Sequence, residues 1–301
     1  MRILANDGLS QEGIDVIKNA GIELDTHHIP QEELFEKLKN YDAIIVRSAT
    51  TVRKDLIDAT NLKVIGRAGV GMDNIDVDYA RSKGIAVVNT PGASSISVAE
   101  LVFAHLFSLC RFTHRSTNAM ENGEWPKKQY TGIELTGKTI GLIGYGNIAK
   151  EVAKRALGLG MKVCSYSHSE INPSQDVAVC SNLEEMLTKS DFVSLHIPFD
   201  KEVGATIGEA ELAKMKDGAI LINCARGGTV DEGALLNALN SGKIAGAGID
   251  VWTNEPCTDA QKELICHPNV SATPHIGGST NEAQDRVGIE IAESVVAELK
   301  K

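Results

Sequence analysis

Arg226, Glu255 and His275 stand close behind short apolar runs in the second half of the chain. Arg226 follows AILINCA, His275 follows NVSATP, and Glu255 lies five residues beyond Asp250. An arginine offers a planar fork to a carboxylate or carbonyl, and a histidine exchanges a proton near neutral pH. A carboxylate bonded to that histidine orients the ring and favours its protonated form. The three types suit hydride transfer to or from a 2-hydroxy acid, in which the histidine takes and returns the hydroxyl proton.

Each of these residues also has a structural reading. Arg226 could form a structural ion pair. Glu255 could be a solvated acid in the loop before Pro256, and His275 could be an ordinary loop histidine. His196, at the end of DFVSLHIP, rivals His275 for the proton-transfer role. The histidines and cysteines show no metal-ligand spacing, so no metal is expected.

GLIGYGNIA supplies a glycine-rich loop of the dinucleotide-binding kind. Gly144 permits a tight turn, Gly146 lets the backbone approach a pyrophosphate, and Ala149 is small enough for close helix packing. The loop leaves an apolar run and opens an amphipathic helix, whose N-terminal amides would face the phosphates. The alternative is a glycine-rich turn of no chemical use.

The next run, MKVCSY, lacks the acid that usually holds the ribose 2′-hydroxyl. It is followed by Ser167, His168 and Ser169, and Glu170 comes three residues late. His168 could donate to a 2′-phosphate, but SHSEINPS contains no arginine for one. We therefore predict NAD as the working cofactor, with NADP accepted less well.

Two series of strands and helices predict an α/β fold with two doubly wound parallel-sheet lobes and a cleft between them. The first series has five strands: Arg2–Ala5, Ile22–Thr26, Ala43–Val46, Val64–Ile65 and Val87–Val88. The second has six: TIGLIG, MKVCSY, DFVSLHIP, AILINCA, IAGAGIDV and NVSATPH. A last helix, from Ser279 to about Leu299, is expected to return to the first lobe. The predicted domains are a flavodoxin-like substrate domain of residues 1–95 and 276–301 and an inserted Rossmann-type domain of residues 96–275.

Helix 97–110 is predicted to begin with a capping box of Ser97 and Glu100. It is apolar nearly all round, which indicates a helix covered on every side. A second subunit could supply that cover, and the alternative is the core helix of a monomer.

Composition narrows the class of protein and its partners. The chain has 301 residues, 43% of them hydrophobic, and a net charge of −10. The charge argues against nucleic acid or an anionic membrane as the main partner. The six cysteines never form Cys-x-x-Cys, and no signal peptide or membrane span is evident, so a reducing cytoplasm is expected.

The chain resembles the D-2-hydroxyacid dehydrogenases, most closely their phosphoglycerate branch, through six motifs in the same order: GRAGVGMDNID, NTPGASSISVAEL, GLIGYGNIA, NCARGGTVDEGAL, AGIDVWTNEP and TPHIGGST. The resemblance implies catalytic roles for Arg226, Glu255 and His275, and a homodimer through helix 97–110. It places Ser167 where NAD-selective members carry Asp. The predicted cofactor contacts are Val70, Gly144, Gly146, Asn147, Ile148, Ser167, His168, His196, Ile197, Pro198, Cys224, Ala225, Asp250, Gly277 and Gly278. The C-terminal serine-binding domain of longer members is not expected.

The expected substrate is a phosphorylated hydroxy or keto acid. Arg47 and Arg67 end two strands of the first lobe, and glycines around Arg67 could cradle an anion. The predicted substrate contacts are Arg47, Ser48, Arg67, Ala68, Gly69 and Lys127, although Lys127 is equally well read as a solvated loop residue. The implied reaction interconverts D-3-phosphoglycerate and 3-phosphohydroxypyruvate in serine biosynthesis. Alternatives are a hydroxypyruvate or glyoxylate reductase and a non-enzymatic NAD-sensing interaction protein.

Overall fold

The computed structural model describes residues 1–169, 171–172 and 176–301, which divide into two compact units. The first unit comprises Met1–Ser97 and Gly278–Lys301, and the second comprises Val98–Gly277. The second unit therefore lies, in sequence, between the two parts of the first.

Within the described residues, the first unit is built on a five-stranded parallel sheet in the order β2-β1-β3-β4-β5, a flavodoxin-like order. Its strands are β1 (Arg2–Ala5), β2 (Glu23–Asp25), β3 (Ala43–Val46), β4 (Val64–Arg67) and β5 (Ala86–Asn89). Its helices are α1 (Gln11–Asn19), α2 (Leu34–Lys37), α3 (Lys54–Asp58), α4 (Val77–Ser82) and α12 (Asn281–Leu299).

Helix α12 belongs to the first unit because its apolar side covers one face of that sheet. Ile291 and Val295 are fully buried with Ile3 and Ile45 of β1 and β3. Alternate strand residues, such as Leu4 and Ile44, point to the other face and form a separate core. The last helix thus returns to the first unit, as predicted from the sequence.

The second unit, in the part that the structure describes, holds a seven-stranded parallel sheet in the order β12-β11-β10-β9-β6-β7-β8. Its strands are β6 (Thr139–Ile143), β7 (Lys162–Tyr166), β8 (Val177–Val179), β9 (Phe192–Leu195), β10 (Ala219–Asn223), β11 (Ile244–Ile249) and β12 (Val270–Ala272). Its helices are α6 (Thr113–Glu121), α7 (Asn147–Gly158), α8 (Leu183–Lys189), α9 (Glu209–Lys214), α10 (Glu232–Asn240) and α11 (Lys262–Ile265), and α5 (Ser95–Arg111) leads into it.

The two predicted parallel sheets are confirmed, and the strand count of the second is corrected from six to seven. The missed strand, β8, is a three-residue edge strand in which only Val177 is buried. Its apolar run, VAVC, is only four residues long. The order in which strands are added reverses between β6 and β9: β7 and β8 extend the sheet on one side of β6, and β9 to β12 extend it on the other. Doubly wound sheets bind their ligands at this position.

The predicted capping box of Ser97 and Glu100 is wrong. Helix α5 begins at Ser95, whose N–H donates to the carbonyl of Gly92, so Ser97 lies inside the first turn. Glu100 instead forms an ion pair with Arg155, 2.9 Å away.

The surface of α5 also differs from the prediction. One stripe is exposed in the chain and carries Ile96, Glu100, Ala104, Phe107 and Arg111. The helix is therefore not apolar all round, since two charged side chains interrupt the exposed stripe.

No single helix in the described ranges is long and apolar enough to cross a membrane. Helices α5 and α6 pass that test only when they are taken together, and the chain bends by 60° between them.

Candidate active site

Three neighbouring strands of the second unit bring the predicted catalytic side chains to one edge of the sheet. Strands β10, β11 and β12 are adjacent and parallel, so the segments that follow them leave from the same edge. Arg226 follows β10, Glu255 follows β11, and His275 follows β12. This carboxyl edge of β10–β12 is the candidate active site.

Glu255 and His275 form a close pair at this edge. Nδ1 of His275 lies 2.6 Å from Oε2 of Glu255, and the N–H of Trp252 donates to Oε1 at 3.0 Å. An ionised carboxylate only accepts hydrogen bonds, so Nδ1 carries the proton that points to Glu255. The other ring nitrogen, Nε2, is the atom left to exchange a proton.

The pair shifts the protonation of both partners. The hydrogen bond that His275 donates to Glu255 raises the pKa of His275 above its usual range. Burial and the charge of Arg226 oppose the shift, and the charges of Glu255 and Asp250 support it. Burial favours the neutral form of Glu255, but the bonds from His275 and the Trp252 N–H, with the charges of His275 and Arg226, lower its pKa overall. The pair thus favours the protonated form of His275.

The loop of Arg226 is packed directly onto the segment that carries Glu255. A Cβ added at Gly227 would collide with the backbone carbonyl of Trp252, so only glycine permits this approach. Asn223 fixes the loop from inside, since its side chain donates to the carbonyl of Arg226 at 3.1 Å and accepts the N–H of Ala225 at 3.1 Å. The half-buried guanidinium of Arg226 is close enough to influence the pKa of both Glu255 and His275.

Asp250 holds the backbone of the His275 loop. Its carbonyl accepts the N–H of His275 at 2.8 Å, and its carboxylate accepts the N–H groups of Ile276 and Gly277, each at 2.8 Å. His275 has a φ of 55°, which side-chain-bearing residues seldom adopt. The sequence predicted Asp250 as a cofactor contact and gave no sign of this backbone role.

The glycine loop fits a dinucleotide phosphate. Gly144 has a φ of 88°, and a Cβ there would lie 2.6 Å from the carbonyl of His196. Gly146 is different: its φ of −79° suits any residue and nothing lies within 4 Å of an added Cβ, so the space beside it is open. The first turn of α7 holds no acidic residue, and Ala149 is fully buried. An open backbone at a helix N-terminus is the arrangement that binds a phosphate.

Other predicted cofactor contacts lie along the same edge of this sheet. Ser167 and His168 follow β7, where the Ser169 N–H donates to the Ser167 hydroxyl at 3.2 Å. Glu170 lies outside the described residues. The contacts that follow β6, β9, β10, β11 and β12 are Gly144, Gly146, Asn147, Ile148, His196, Ile197, Pro198, Cys224, Ala225, Asp250 and Gly277.

His196 does not share the surroundings of His275. Both of its ring nitrogens are buried, neither has a hydrogen-bond partner in the described part of the chain, and burial lowers its pKa to about 3. Its ring is therefore neutral at physiological pH. A residue in this state is a poor proton donor, which favours His275 over His196.

The remaining predicted contacts other than Lys127 lie in the first unit, most of them at the ends of β3 and β4 or directly after them. Val70 and Gly278 belong to this unit, as do Arg47, Ser48, Arg67, Ala68 and Gly69. The Asp7 carboxylate accepts the N–H of Arg47 at 2.7 Å, and Asn74 donates to the Arg47 carbonyl at 2.8 Å.

The two arginines predicted to bind substrate, Arg47 and Arg67, are held differently. In the described structure, the half-buried guanidinium of Arg47 has no hydrogen bond or ion pair. Arg67 Nη1 donates to the Ala68 carbonyl at 3.1 Å and lies where a Cβ on Gly69 would be. Gly69, with a φ of 145°, is what allows Arg67 to fold over the backbone.

Lys127 is not brought to the catalytic edge of its own chain. It is exposed in a 3₁₀ turn, and nearby Tyr130 donates to the carbonyl of Arg115 at 3.2 Å. Arg115 in turn binds the side chain of Asn269, immediately before β12. These contacts place the turn towards the amino edge of the sheet, opposite the edge that carries His275.

Comparison with known proteins identifies the family of the second unit and relatives of the whole chain. Residues 103–277 match the family described as D-isomer specific 2-hydroxyacid dehydrogenase, NAD binding domain. Hydroxypyruvate reductase of Thermotoga maritima is 47% identical over 99% of this chain and 98% of its own length. D-3-phosphoglycerate dehydrogenase of Methanocaldococcus jannaschii is 44% identical over 98% of this chain, which spans only 57% of that protein.

A solved structure supports the fold over the whole length. The D-lactate dehydrogenase of Aquifex aeolicus, complexed with NAD and lactic acid, has a TM-score of 0.84 and 31% identity. The match covers 100% of this chain and 96% of that one.

Proposed function

Because the chain belongs to the D-isomer-specific 2-hydroxyacid dehydrogenases, which are NAD-dependent oxidoreductases, we propose that it interconverts D-3-phosphoglycerate and 3-phosphohydroxypyruvate. This reaction belongs to the phosphorylated route of serine biosynthesis. The observation that carries the chemistry is the 2.6 Å pair of His275 and Glu255 with Arg226 close by. The observation that favours a phosphorylated substrate is the unpaired guanidinium of Arg47 in the described structure.

His275 moves the proton of the substrate hydroxyl. In the reducing direction, Nε2 donates to the keto oxygen, and the ring becomes neutral while Nδ1 stays bonded to Glu255. In the oxidising direction, neutral Nε2 takes the hydroxyl proton, and Glu255 stabilises the resulting imidazolium. Bound NAD supplies the hydride acceptor, and its reduced form supplies the hydride.

Arg226 binds and orients the 2-keto or 2-hydroxy acid. Its planar guanidinium matches a substrate carboxylate in two parallel hydrogen bonds. The Asn223 bonds and the contact of Gly227 with Trp252 fix the Arg226 backbone, so little freedom is lost when substrate binds. A carboxylate held here lies near His275, as proton transfer requires.

Arg47 and Arg67 bind the phosphate of the substrate in this proposal. The Arg47 backbone is fixed by Asp7 and Asn74, which leaves its side chain available to an anion. Charge-assisted bonds to a phosphate are stronger than neutral ones, so two arginines give a clear preference for a phosphorylated acid.

Hydroxypyruvate is the second candidate substrate. The relative that supports it is 47% identical, and the alignment covers nearly all of both chains. Hydroxypyruvate offers the same carboxylate and keto group to Arg226 and His275 but has no phosphate for Arg47. Glyoxylate would use the same two residues.

Steady-state kinetics distinguish these substrates. The purified protein is assayed for reduction of 3-phosphohydroxypyruvate, hydroxypyruvate and glyoxylate, each with NADH and with NADPH. We expect the highest kcat/KM for 3-phosphohydroxypyruvate with NADH. A higher kcat/KM for hydroxypyruvate would assign the reductase function, and turnover of none of them would contradict both.

We extend the proposal to a homodimer that forms through α5. Its exposed stripe includes Ile96 and Phe107, each about two-fifths exposed in the single chain. A second copy would remove this apolar surface from water, which favours association.

We place the protein in the cytoplasm on the chemistry of its thiols. All six cysteines are free, and four of them are buried as small apolar side chains. Burial raises the pKa of Cys110 to about 11, which keeps that thiol protonated and unreactive. A reducing compartment suits such residues.

A further inference from the structure

His105 is a buried polar side chain in the middle of helix α5, where its neighbours in the core are apolar. Only 1% of the residue is exposed. Nδ1 lies 2.9 Å from Oγ of Ser271, and Nε2 lies 3.2 Å from Oγ1 of Thr273. A buried imidazole is costly without such partners. Both partners belong to β12 or directly follow it, just before His275.

The contact with Thr273 continues to the active-site backbone. Oγ1 of Thr273 lies 2.6 Å from Oδ1 of Asp250, which is 1% exposed. Asp250 binds the N–H groups of three consecutive residues, His275 to Gly277. A continuous set of hydrogen bonds therefore joins His105 to the loop that carries His275.

The hydrogens of this set have one consistent arrangement. Asp250 accepts backbone N–H groups at both carboxylate oxygens, as an ionised carboxylate does. Because such a carboxylate only accepts, Thr273 donates its single hydroxyl proton to Asp250. The Thr273 oxygen then accepts from Nε2–H of His105. With the proton on Nε2, Nδ1 accepts the hydroxyl proton of Ser271. Of the two neutral forms of His105, only the one with the proton on Nε2 satisfies all these groups.

Burial favours the same neutral form. It lowers the pKa of His105 below its usual range, and the negative charge of Asp250 opposes this only in part. Burial and the hydrogen-bond arrangement thus favour the same neutral ring, whose two nitrogens are both engaged by Ser271 and Thr273.

We propose that His105 is a positioning residue for His275: its Nε2–H binds the oxygen of Thr273, commits the Thr273 hydroxyl to Asp250, and so fixes the backbone of residues 275–277. The catalytic consequence rests on the proposed role of His275, whereas the hydrogen arrangement does not. The unusual backbone of His275, with φ of 55°, explains why such support is needed.

The first test is nitrogen NMR on protein labelled with ¹⁵N-histidine, with the His105 signals assigned by their loss in His105→Gln. We expect a protonated Nε2 and an unprotonated Nδ1 throughout the pH range in which His275 titrates. A proton on Nδ1, or a charged ring, overturns the proposal. The NMR measurement does not depend on catalysis. If the protein turned over none of the proposed substrates, that result would contradict only the proposed function.

The second test compares variants that keep or remove the donor. Gln offers an N–H near Nε2 and an acceptor for Ser271, whereas Leu offers neither. We expect kcat to fall about three- to tenfold in His105→Leu, the effect of one neutral buried hydrogen bond, and to stay near wild type in His105→Gln. The Gly277 amide resonance is expected to move in His105→Leu alone.

Thr273→Val and Thr273→Ser repeat the comparison on the partner, since Ser keeps the hydroxyl and Val removes it. Val102→Ala, at a buried residue of the same helix, is the control for simple loss of stability and is expected to lower Tm with kcat unchanged. Equal kcat in the Leu and Gln variants, or in the Val and Ser variants, overturns the positioning role. So does a Val102→Ala effect on kcat as large as that of His105→Leu.

Discussion

The carboxylate of Glu255 bonds His275 through one oxygen and the Trp252 backbone through the other, at 2.6 and 3.0 Å. The carboxylate is thus fixed to the segment that follows β11, while its partner follows β12. A ring held in this way has one nitrogen committed and one available. Glu255 therefore both orients the His275 ring and raises its pKa.

Glu255→Gln is expected to move the alkaline limb of keto-acid reduction to lower pH. Glu255 raises the pKa of His275, and reduction needs the protonated ring. Without the carboxylate charge the pKa falls, so the proton donor is lost at a lower pH. For the same reason, the acidic limb of hydroxy-acid oxidation should also move to lower pH. Profiles of kcat/KM against pH in both directions check this, and unmoved limbs would count against the pair.

His275→Ala is expected to lower kcat by about two to four decades, the usual contribution of a general acid or base. NADH binding should remain near wild type, because the glycine loop before α7 is untouched; a fluorescence titration measures it. His196→Ala serves as the comparison. If His196→Ala alone abolished turnover, the proton-transfer role would belong to His196.

Much of the fold follows from the sequence because buried parallel strands are short apolar runs. Strands β1, β3 and β10 contain such runs, and the turns after them are marked by polar residues or glycine. Strand β8 is only three residues long and has a single buried residue, so its short apolar run does not distinguish a strand from a loop. The start of α5 was misplaced because a serine and a glutamate three residues apart also occur inside a helix.

The candidate site was predictable only where the strand order brings chain ends together. Arg226, Glu255 and His275 could be grouped because they follow strands of one parallel series. Lys127 could not be placed, since a loop between helices and strands carries no information on which sheet edge it reaches. His105 is further out of reach, because its partners Ser271 and Thr273 are 166 and 168 residues away in sequence.

Arg47→Ala is expected to lower kcat/KM for 3-phosphohydroxypyruvate about ten- to a hundredfold more than for hydroxypyruvate. Losing a charge-assisted bond to a phosphate costs about 1.5–3 kcal/mol, and hydroxypyruvate has no phosphate to lose. Arg53→Ala is a suitable control in the same unit, because Arg53 is already paired with Asp76 at 3.1 Å. Equal losses on both substrates would remove the case for a phosphate site at Arg47.

Sedimentation at low concentration is expected to show at least a dimer, and Phe107→Glu is expected to shift it towards the 32.2 kDa monomer. A glutamate on the exposed stripe of α5 would place a charge within the proposed interface, which is costly without a partner. Val203→Glu introduces the same charge at a side chain that is 71% exposed, outside that stripe, and should leave the assembly unchanged. A wild-type monomer would refute the proposed dimer.

The residue after β7 influences how the protein chooses between NAD and NADP. Ser167 follows β7 directly and is half-buried, and its hydroxyl already accepts the N–H of Ser169. A carboxylate at this position would accept a charge-assisted hydrogen bond from a ribose 2′-hydroxyl and would repel a 2′-phosphate. A serine does neither. The exposed His168 beside it could donate to a phosphate, although its Nδ1 lies 3.3 Å from the hydroxyl of Tyr166. We therefore expect NADPH to be used measurably but less well than NADH.

Ser167→Asp is expected to reduce kcat/KM for NADPH much more than for NADH, because the new carboxylate restores the repulsion of a 2′-phosphate. Ser169→Asp is the matched control: it adds the same charge two residues further on, at an exposed position, and should have a smaller effect. The measurement is kcat/KM for both cofactors in the wild type and the two variants. If the wild type already rejects NADPH as strongly as Ser167→Asp does, another part of the chain supplies the repulsion, and Ser167 does not set the preference.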